Sequence, residues 1–225
     1  MKKRPSSWKL WTSRVRGYIE PAAIKRSLSR FADDGLVKMG VLPPMMNGAG
    51  KVLHISDTPT TIYGYLARVL RRVAPAVVVH TGDLADDIKL EMYPAEADNY
   101  AAAVRRLANI LLAPHRTVVL ALGNHDRADL LPFLPSQCIV CDNDDAINMT
   151  FFGARFRMSH YVERVTDKPE LYNLFGHEPE RESFMDGTDR YFFNGIELMR
   201  MIDPVTGEIA ALSYPGETKN ARALR

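Results

Sequence analysis

From Lys51 onward, short apolar runs alternate with stretches of helical periodicity. Val52-Leu53-His54-Ile55-Ser56 is a run of strand length that stops at Asp57. Ile62, Leu66, Val69, Leu70 and Val73 then recur at the spacing that lines one face of a helix. Ala76-Val77-Val78-Val79-His80 is a second apolar run, closed by Gly82-Asp83. A longer helical pattern covers about residues 94–113, with Tyr100, Val104, Leu107 and Leu111 facing inward. Val118-Val119-Leu120-Ala121-Leu122 is a third run, and it stops at Gly123-Asn124-His125-Asp126. Uninterrupted apolar strands separated by amphipathic helices predict βαβ units and a parallel sheet.

The second half has a different rhythm. Residues 147–152, 154–158, 171–175, 191–193, 197–202 and 209–214 read as short strands with few helical signals between them. Asp203-Pro204-Val205-Thr206-Gly207 has hairpin-turn chemistry. This half is expected to supply a second sheet packed on the first. Cys138 and Cys141 flank Ile139-Val140, a pair that favours a strand. In a strand, two residues three apart point to opposite faces, roughly 10 Å from each other. No disulfide closes over that distance, so free structural thiols in a reducing compartment are expected.

Charge divides the 225-residue chain unevenly. Residues 1–31 carry nine basic groups against Glu20 alone, a local charge of +8 in a chain of net +2, so the remainder sums to −6. Residues 1–50 are therefore read as a basic extension and linker, with a short helix from Pro21 to about Asp33, and residues 51–225 as the folded domain. Such an arm is either solvated or touches nucleic acid or another anionic surface. No apolar segment follows the basic start as in a secretory signal, and no apolar run approaches the roughly 18 residues of a membrane span. A cytoplasmic location is expected. With 46% hydrophobic and 25% charged residues, the composition is that of a globular protein rather than a disordered or fibrous one.

The polar residues that close the apolar runs carry the candidate chemistry. In open α/β sheets ligands gather at the carboxyl ends of the strands, where Asp57, Asp83 and Asn124-His125 are expected. Ser159-His160 and Gly176-His177 also follow apolar runs. Carboxylates, an amide oxygen and imidazoles on one edge make a donor set for a transition metal. His54 and His80 each precede a candidate aspartate by three residues, which on a strand turns them to the other face.

Taken in order, these blocks resemble the calcineurin-like metallophosphoesterase superfamily, whose pattern is D-x-H, G-D, G-N-H-[DE], a lone H and G-H-x-H. Here it reads Asp57-Thr58-Pro59, Gly82-Asp83, Gly123-Asn124-His125-Asp126, Ser159-His160 and Gly176-His177-Glu178-Pro179, over about residues 51–214. The resemblance implies an α/β sandwich of two packed sheets flanked by helices. It implies that Asp83, Asn124, His160 and His177 hold one divalent transition metal (Mn, Fe or Zn), and that Asp57 and Asp83 belong to a second site. It also gives His125 the task of leaving-group protonation or transition-state stabilisation, with Asp126 orienting its ring.

Two positions depart from the pattern. Pro59 and Pro179 stand where the family has histidines, and both losses fall on the site of Asp57. One tightly bound ion is therefore expected, with the second weak or absent unless a carboxylate such as Asp86, Glu178 or Glu180 substitutes. Pro59 is also suited to a helix start, with Thr58 as the cap. Two functions follow: a metal-dependent phosphoesterase acting on a phosphomonoester or phosphodiester, or a catalytically silent binding or scaffold module of the same fold.

Overall fold

The computed structural model describes residues 47–136, 138–142 and 145–223. The basic arm and the expected helix at 21–33 lie outside this range. The first half runs β1 (Val52–Ile55), α1 (Tyr63–Val73), β2 (Val77–His80), α2 (Ala97–Leu111), β3 (Thr117–Ala121) and β4 (Cys138–Cys141). The four strands pair in parallel, β1-β2-β3-β4. Then follow β5 (Ile147–Phe151), β6 (Ala154–Met158), α3 (Val162–Asp167), β7 (Tyr172–Phe175), β8 (Phe184–Met185), β9 (Tyr191–Asn194), β10 (Met199–Ile202), β11 (Ile209–Leu212) and α4 (Thr218–Ala223).

The second half does not all enter the second sheet. β5-β6-β7-β9-β8 form it, but β10 pairs antiparallel with β1 and carries β11 with it, extending the first sheet to the order β11-β10-β1-β2-β3-β4. The reason is burial. All four residues of β10 are buried, as on a strand covered on both faces. Cys138 and Cys141 are the ends of edge strand β4 and are free thiols. Partial burial raises both thiols, Cys138 to about 11.

Alternation along the central strands builds two cores. Leu53, Ile55, Val78, Val118 and Leu120 pack against Leu66, Val69, Leu70, Tyr100, Val104 and Leu107 of α1 and α2. The intervening Val52, Val77, Val79 and Val119 pack against Phe156, Met158, Leu174 and Phe193 of the second sheet. Each such side chain contributes roughly 1.5–3 kcal/mol when fully buried. Val162 and Val165 of α3 cover the outer face of the second sheet at Phe175 and Phe192. The result is two packed sheets flanked by helices. Arg116, buried before β3, donates to the Leu111 carbonyl at 2.7 Å and the Leu70 carbonyl at 3.3 Å, and so closes the C-terminal ends of both α2 and α1.

The entry to α1 differs from the expected cap. Pro59 precedes a 3-10 turn, Thr60–Ile62, and has no side-chain group to cap it. Thr58 instead turns inward: its Oγ1 donates to the Leu84 carbonyl at 3.0 Å and accepts from His80 Nε2 at 2.9 Å. Asp87 supplies the cap from another loop, accepting from Thr60 N at 2.8 Å and Thr60 Oγ1 at 2.6 Å.

His80 is fully buried, and burial lowers its pKa to about 3. An unfolded histidine titrates near 6.5, so the unfolded chain takes up a proton first as pH falls. Stability from the neutral ring is complete above pH 6.5 and is lost below it, at roughly 1 kcal/mol per pH unit. His80→Gln is predicted to flatten the decline of the melting midpoint between pH 6.5 and 4.5 relative to wild type. Parallel thermal melts of the two proteins across that range check this.

Candidate metal centre

The sheet delivers its polar residues at one edge because β1, β2 and β3 are parallel neighbours that stop together. Asp57 follows β1, Asp83 follows β2, and Asn124 and His125 follow β3; His160 follows β6 and His177 follows β7. The turns are tied to each other, with Asp57 N donating to Gly82 O at 2.9 Å and Thr58 N to Asp83 O at 3.0 Å. Asp57, Asp83 and His177 have φ of 49°, 54° and 68°, in the left-handed region that side chains resist. Such strain costs of order 1–3 kcal/mol per residue and is tolerated where the surroundings enforce it. At Gly123 a Cβ would collide with Asp83 and the His160 ring, and at Gly176 with Ser56 and Asp57. Both positions need glycine for this close approach.

His160 anchors one side of the site. Its Nδ1 donates to the Thr81 carbonyl at 2.7 Å, which leaves Nε2 as a bare acceptor. That Nε2 lies 3.2 Å from Asn124 Oδ1, 3.1 Å from His177 Nδ1 and 3.6 Å from Asp83 Oδ2. The Asn124 amide is oriented by Glu91, whose Oε2 accepts from Nδ2 at 2.5 Å, so its oxygen faces inward. With the His160 ring neutral, two acceptor atoms therefore confront one another, with the His177 ring beside them as the second imidazole of the set. A cation relieves that repulsion, and this oxygen and nitrogen donor set fits a divalent transition metal. Tyr161 stands edge-on to both imidazoles, with ring centroids 5.0 Å from His160 and 4.8 Å from His177.

Ligand atoms of Asp57, Asp83 and His160 lie within 4.8 Å of one another, as do those of Asp83, Asp86 and His125. Asp83 is common to both sets. Pro59 is buried and Pro179 exposed, and neither offers a donor atom. Of the three carboxylates weighed as substitutes, Asp86 alone joins such a set among the described residues. Its backbone N–H donates to Thr58 O at 3.3 Å, placing its loop beside that of Asp57. Lys89 Nζ lies 2.5 Å from Asp86 Oδ1. His54 is turned elsewhere, with Nε2 2.9 Å from Thr81 Oγ1, and His80 is occupied with Thr58.

Asp126 is placed differently from the expectation that it orients His125. Its two oxygens accept from the backbone N–H groups of Asp83 (2.8 Å), Leu84 (2.9 Å) and Gly123 (2.8 Å) and from Tyr100 Oη (2.8 Å). It braces the two ligand-bearing turns against α2. The acid beside the His125 ring is Glu91, with Oε2 3.7 Å from Nδ1.

Crowding sets the electrostatics. Burial, together with Asp57, Asp126 and Asp86, holds the Asp83 carboxyl well above its ordinary range, opposed by the His125 N–H. Burial and Asp57 raise Asp86 to about 6, opposed by Lys89. Burial and Lys89 lower His125 to about 4, and burial and His160 lower His177. Glu91, Lys89, Tyr100, Tyr161 and Arg222 were not legible as site residues. Arg222, on α4, donates to the Asp57 carbonyl at 2.7 Å and the Ser56 carbonyl at 3.0 Å, more than 160 positions away in sequence.

Residues 50–208 match the family model described as calcineurin-like phosphoesterase. No curated protein matches the chain. Among solved structures, the chain is similar to YfcE, a phosphoesterase from E. coli, at 14% identity and a TM-score of 0.48, over 73% of this chain and all of that one. A predicted phosphoesterase of Streptococcus pneumoniae TIGR4 is 14% identical, with a TM-score of 0.38, over 74% of this chain and 93% of that one. Vps29 of Entamoeba histolytica, solved in complex with zinc, is 14% identical, with a TM-score of 0.41, over 72% of this chain and 96% of that one. No helix among the described residues is long and apolar enough to cross a membrane.

Tyr100→Phe removes one buried hydrogen bond to the Asp126 carboxylate. It is predicted to cost about 1.5–3 kcal/mol of stability, as for other bonds to charged groups, and to leave metal stoichiometry unchanged. Denaturant unfolding paired with elemental analysis checks both parts.

Proposed function

The chain belongs to the calcineurin-like phosphoesterase family, and on that premise we propose that it hydrolyses a phosphomonoester or phosphodiester with one tightly held divalent ion. Asp83, Asn124, His160 and His177 would hold the ion. The observation that carries this reading is the confrontation of His160 Nε2 with Asn124 Oδ1 at 3.2 Å, each fixed as an acceptor by a partner behind it. On the other side Pro59 and Pro179 leave Asp57 and the shared Asp83 of the family's ligand set, short of the three protein ligands usual in catalytic sites.

When bound, a divalent ion supplies positive charge against the phosphoryl oxygens and makes water nucleophilic at neutral pH. The chain's own groups do the rest. His160 and Asn124 keep their acceptor atoms inward through Thr81 and Glu91. Asp83 is aligned by the backbone N–H of His125 at 3.1 Å. His125, held down to about 4, is neutral at pH 7 and acts as a hydrogen-bond donor to the charge that develops on the phosphoryl and leaving oxygens. Transition-state stabilisation therefore suits this ring better than proton donation from an imidazolium.

Two outcomes are predicted. Chelator treatment abolishes turnover of bis(p-nitrophenyl) phosphate and p-nitrophenyl phosphate, and Mn²⁺ restores it, whereas Asn124→Ala and His160→Ala lose both metal and turnover. His125→Ala lowers kcat by about 10²–10³-fold, the cost of one transition-state donor, with metal content unchanged. Elemental analysis beside steady-state kinetics tests both. A metal-free protein, or turnover indifferent to His160→Ala, would contradict the reading.

A further inference from the structure

We propose that the Lys89 ammonium, held on Asp86, takes the place of the second metal ion at this centre. The inference rests on the one-ion reading above and adds what occupies the depleted side.

Three observations carry it. The first is position. Lys89 Nζ lies 2.5 Å from Asp86 Oδ1, and a ligand atom of Asp86 lies within 4.8 Å of those of Asp83 and His125. The Asp86 loop is bonded to Thr58 O, on the side of Asp57 and Pro59 where the family's second ion loses its histidines. The lysine side chain is only 15% exposed, so the charge is sited within the cluster rather than in solvent.

The second is charge. Asp57, Asp83, Asp86 and Asp126 are all buried within one group of turns. Lys89, and Arg222 against the backbone oxygens of Ser56 and Asp57, supply two positive charges. With Glu91 beside His125 counted as well, five carboxyl groups face two basic groups, an acidic excess that one divalent cation offsets. Two ions beside Lys89 would make the same space net positive, and buried charge without a counter-charge is strongly disfavoured. The third is backbone. Lys89 sits at φ 50°, a conformation that glycine or asparagine adopts more readily. Its carbonyl accepts from both Met92 N at 2.9 Å and Tyr93 N at 3.0 Å, so the loop enforces the conformation that turns this lysine onto Asp86.

The arrangement also says what the lysine withholds. Asp83, Asp86 and His125 offer three donor atoms within 4.8 Å of one another, the number usual for a catalytic site, once Asp86 is released. The lysine is then a substitute cation and the reason the site stays singly loaded.

The test is calorimetric Mn²⁺ titration of chelator-stripped protein, with elemental analysis after desalting. Wild type and Lys89→Arg should bind one ion per chain. Lys89→Met and Lys89→Gln should bind two, the second at least tenfold more tightly than any second event in wild type. Adding Asp86→Asn to Lys89→Met should return the count to one. If folded neutral variants remain at one ion, the lysine proposal fails while the one-ion reading stands. If wild type binds two ions of similar affinity, or none, both fail. Lysine labelling of wild type followed by peptide mass spectrometry gives an answer that requires no variant to fold. Lys89 should stay protected when Mn²⁺ is saturating, and increased labelling would show that metal displaces it from Asp86.

Discussion

His160 Nε2 and Asn124 Oδ1 face each other at 3.2 Å because Thr81 and Glu91 have taken the donor half of each side chain. Two lone pairs so placed repel unless a cation lies between them. Much else in the structure maintains that contact. The parallel order of β1, β2 and β3 brings their loops to one edge. Gly123 lets the Asn124 turn close on Asp83 and His160. Asp126 ties the turns after β2 and β3 together through three backbone N–H groups. The left-handed backbones of Asp57, Asp83 and His177 mark where this packing overrides local preference.

Sequence periodicity located the elements where side chains report burial directly. β1 to β3 are apolar on both faces, and α1 and α2 present their stripes as spaced. Pairing was less visible. The apolar content of β10 says that it is buried but not that its neighbour is β1, some 145 residues earlier. The short β8, α3 and α4 carry too few residues for a period to show.

The candidate ligands were legible because each closes a strand. Their supports were not, since each comes from a distant loop or helix. Tyr100 looked like an ordinary inward residue of α2, yet its hydroxyl reaches Asp126. Glu91 is an exposed loop acid in sequence terms, and only folding sets it against Asn124 and His125. Asp126 follows His125 directly, and adjacency suggested a partnership that the turn geometry does not make. His54 and His80 were separated from the site by strand alternation alone, a local rule that holds inside a sheet.

The two sides of the centre differ in kind. On one, imidazoles and an amide oxygen present lone pairs; on the other, the Asp86 carboxylate holds the ammonium of Lys89. The divalent ion proposed above belongs to the first and not to the second. Anomalous scattering from a crystal soaked in Mn²⁺ measures this most directly. One peak per chain is expected, bounded by Asp83, Asn124, His160 and His177. A single peak between Asp57 and Asp86, or two peaks about 3.5–4 Å apart as in two-metal sites, would contradict it.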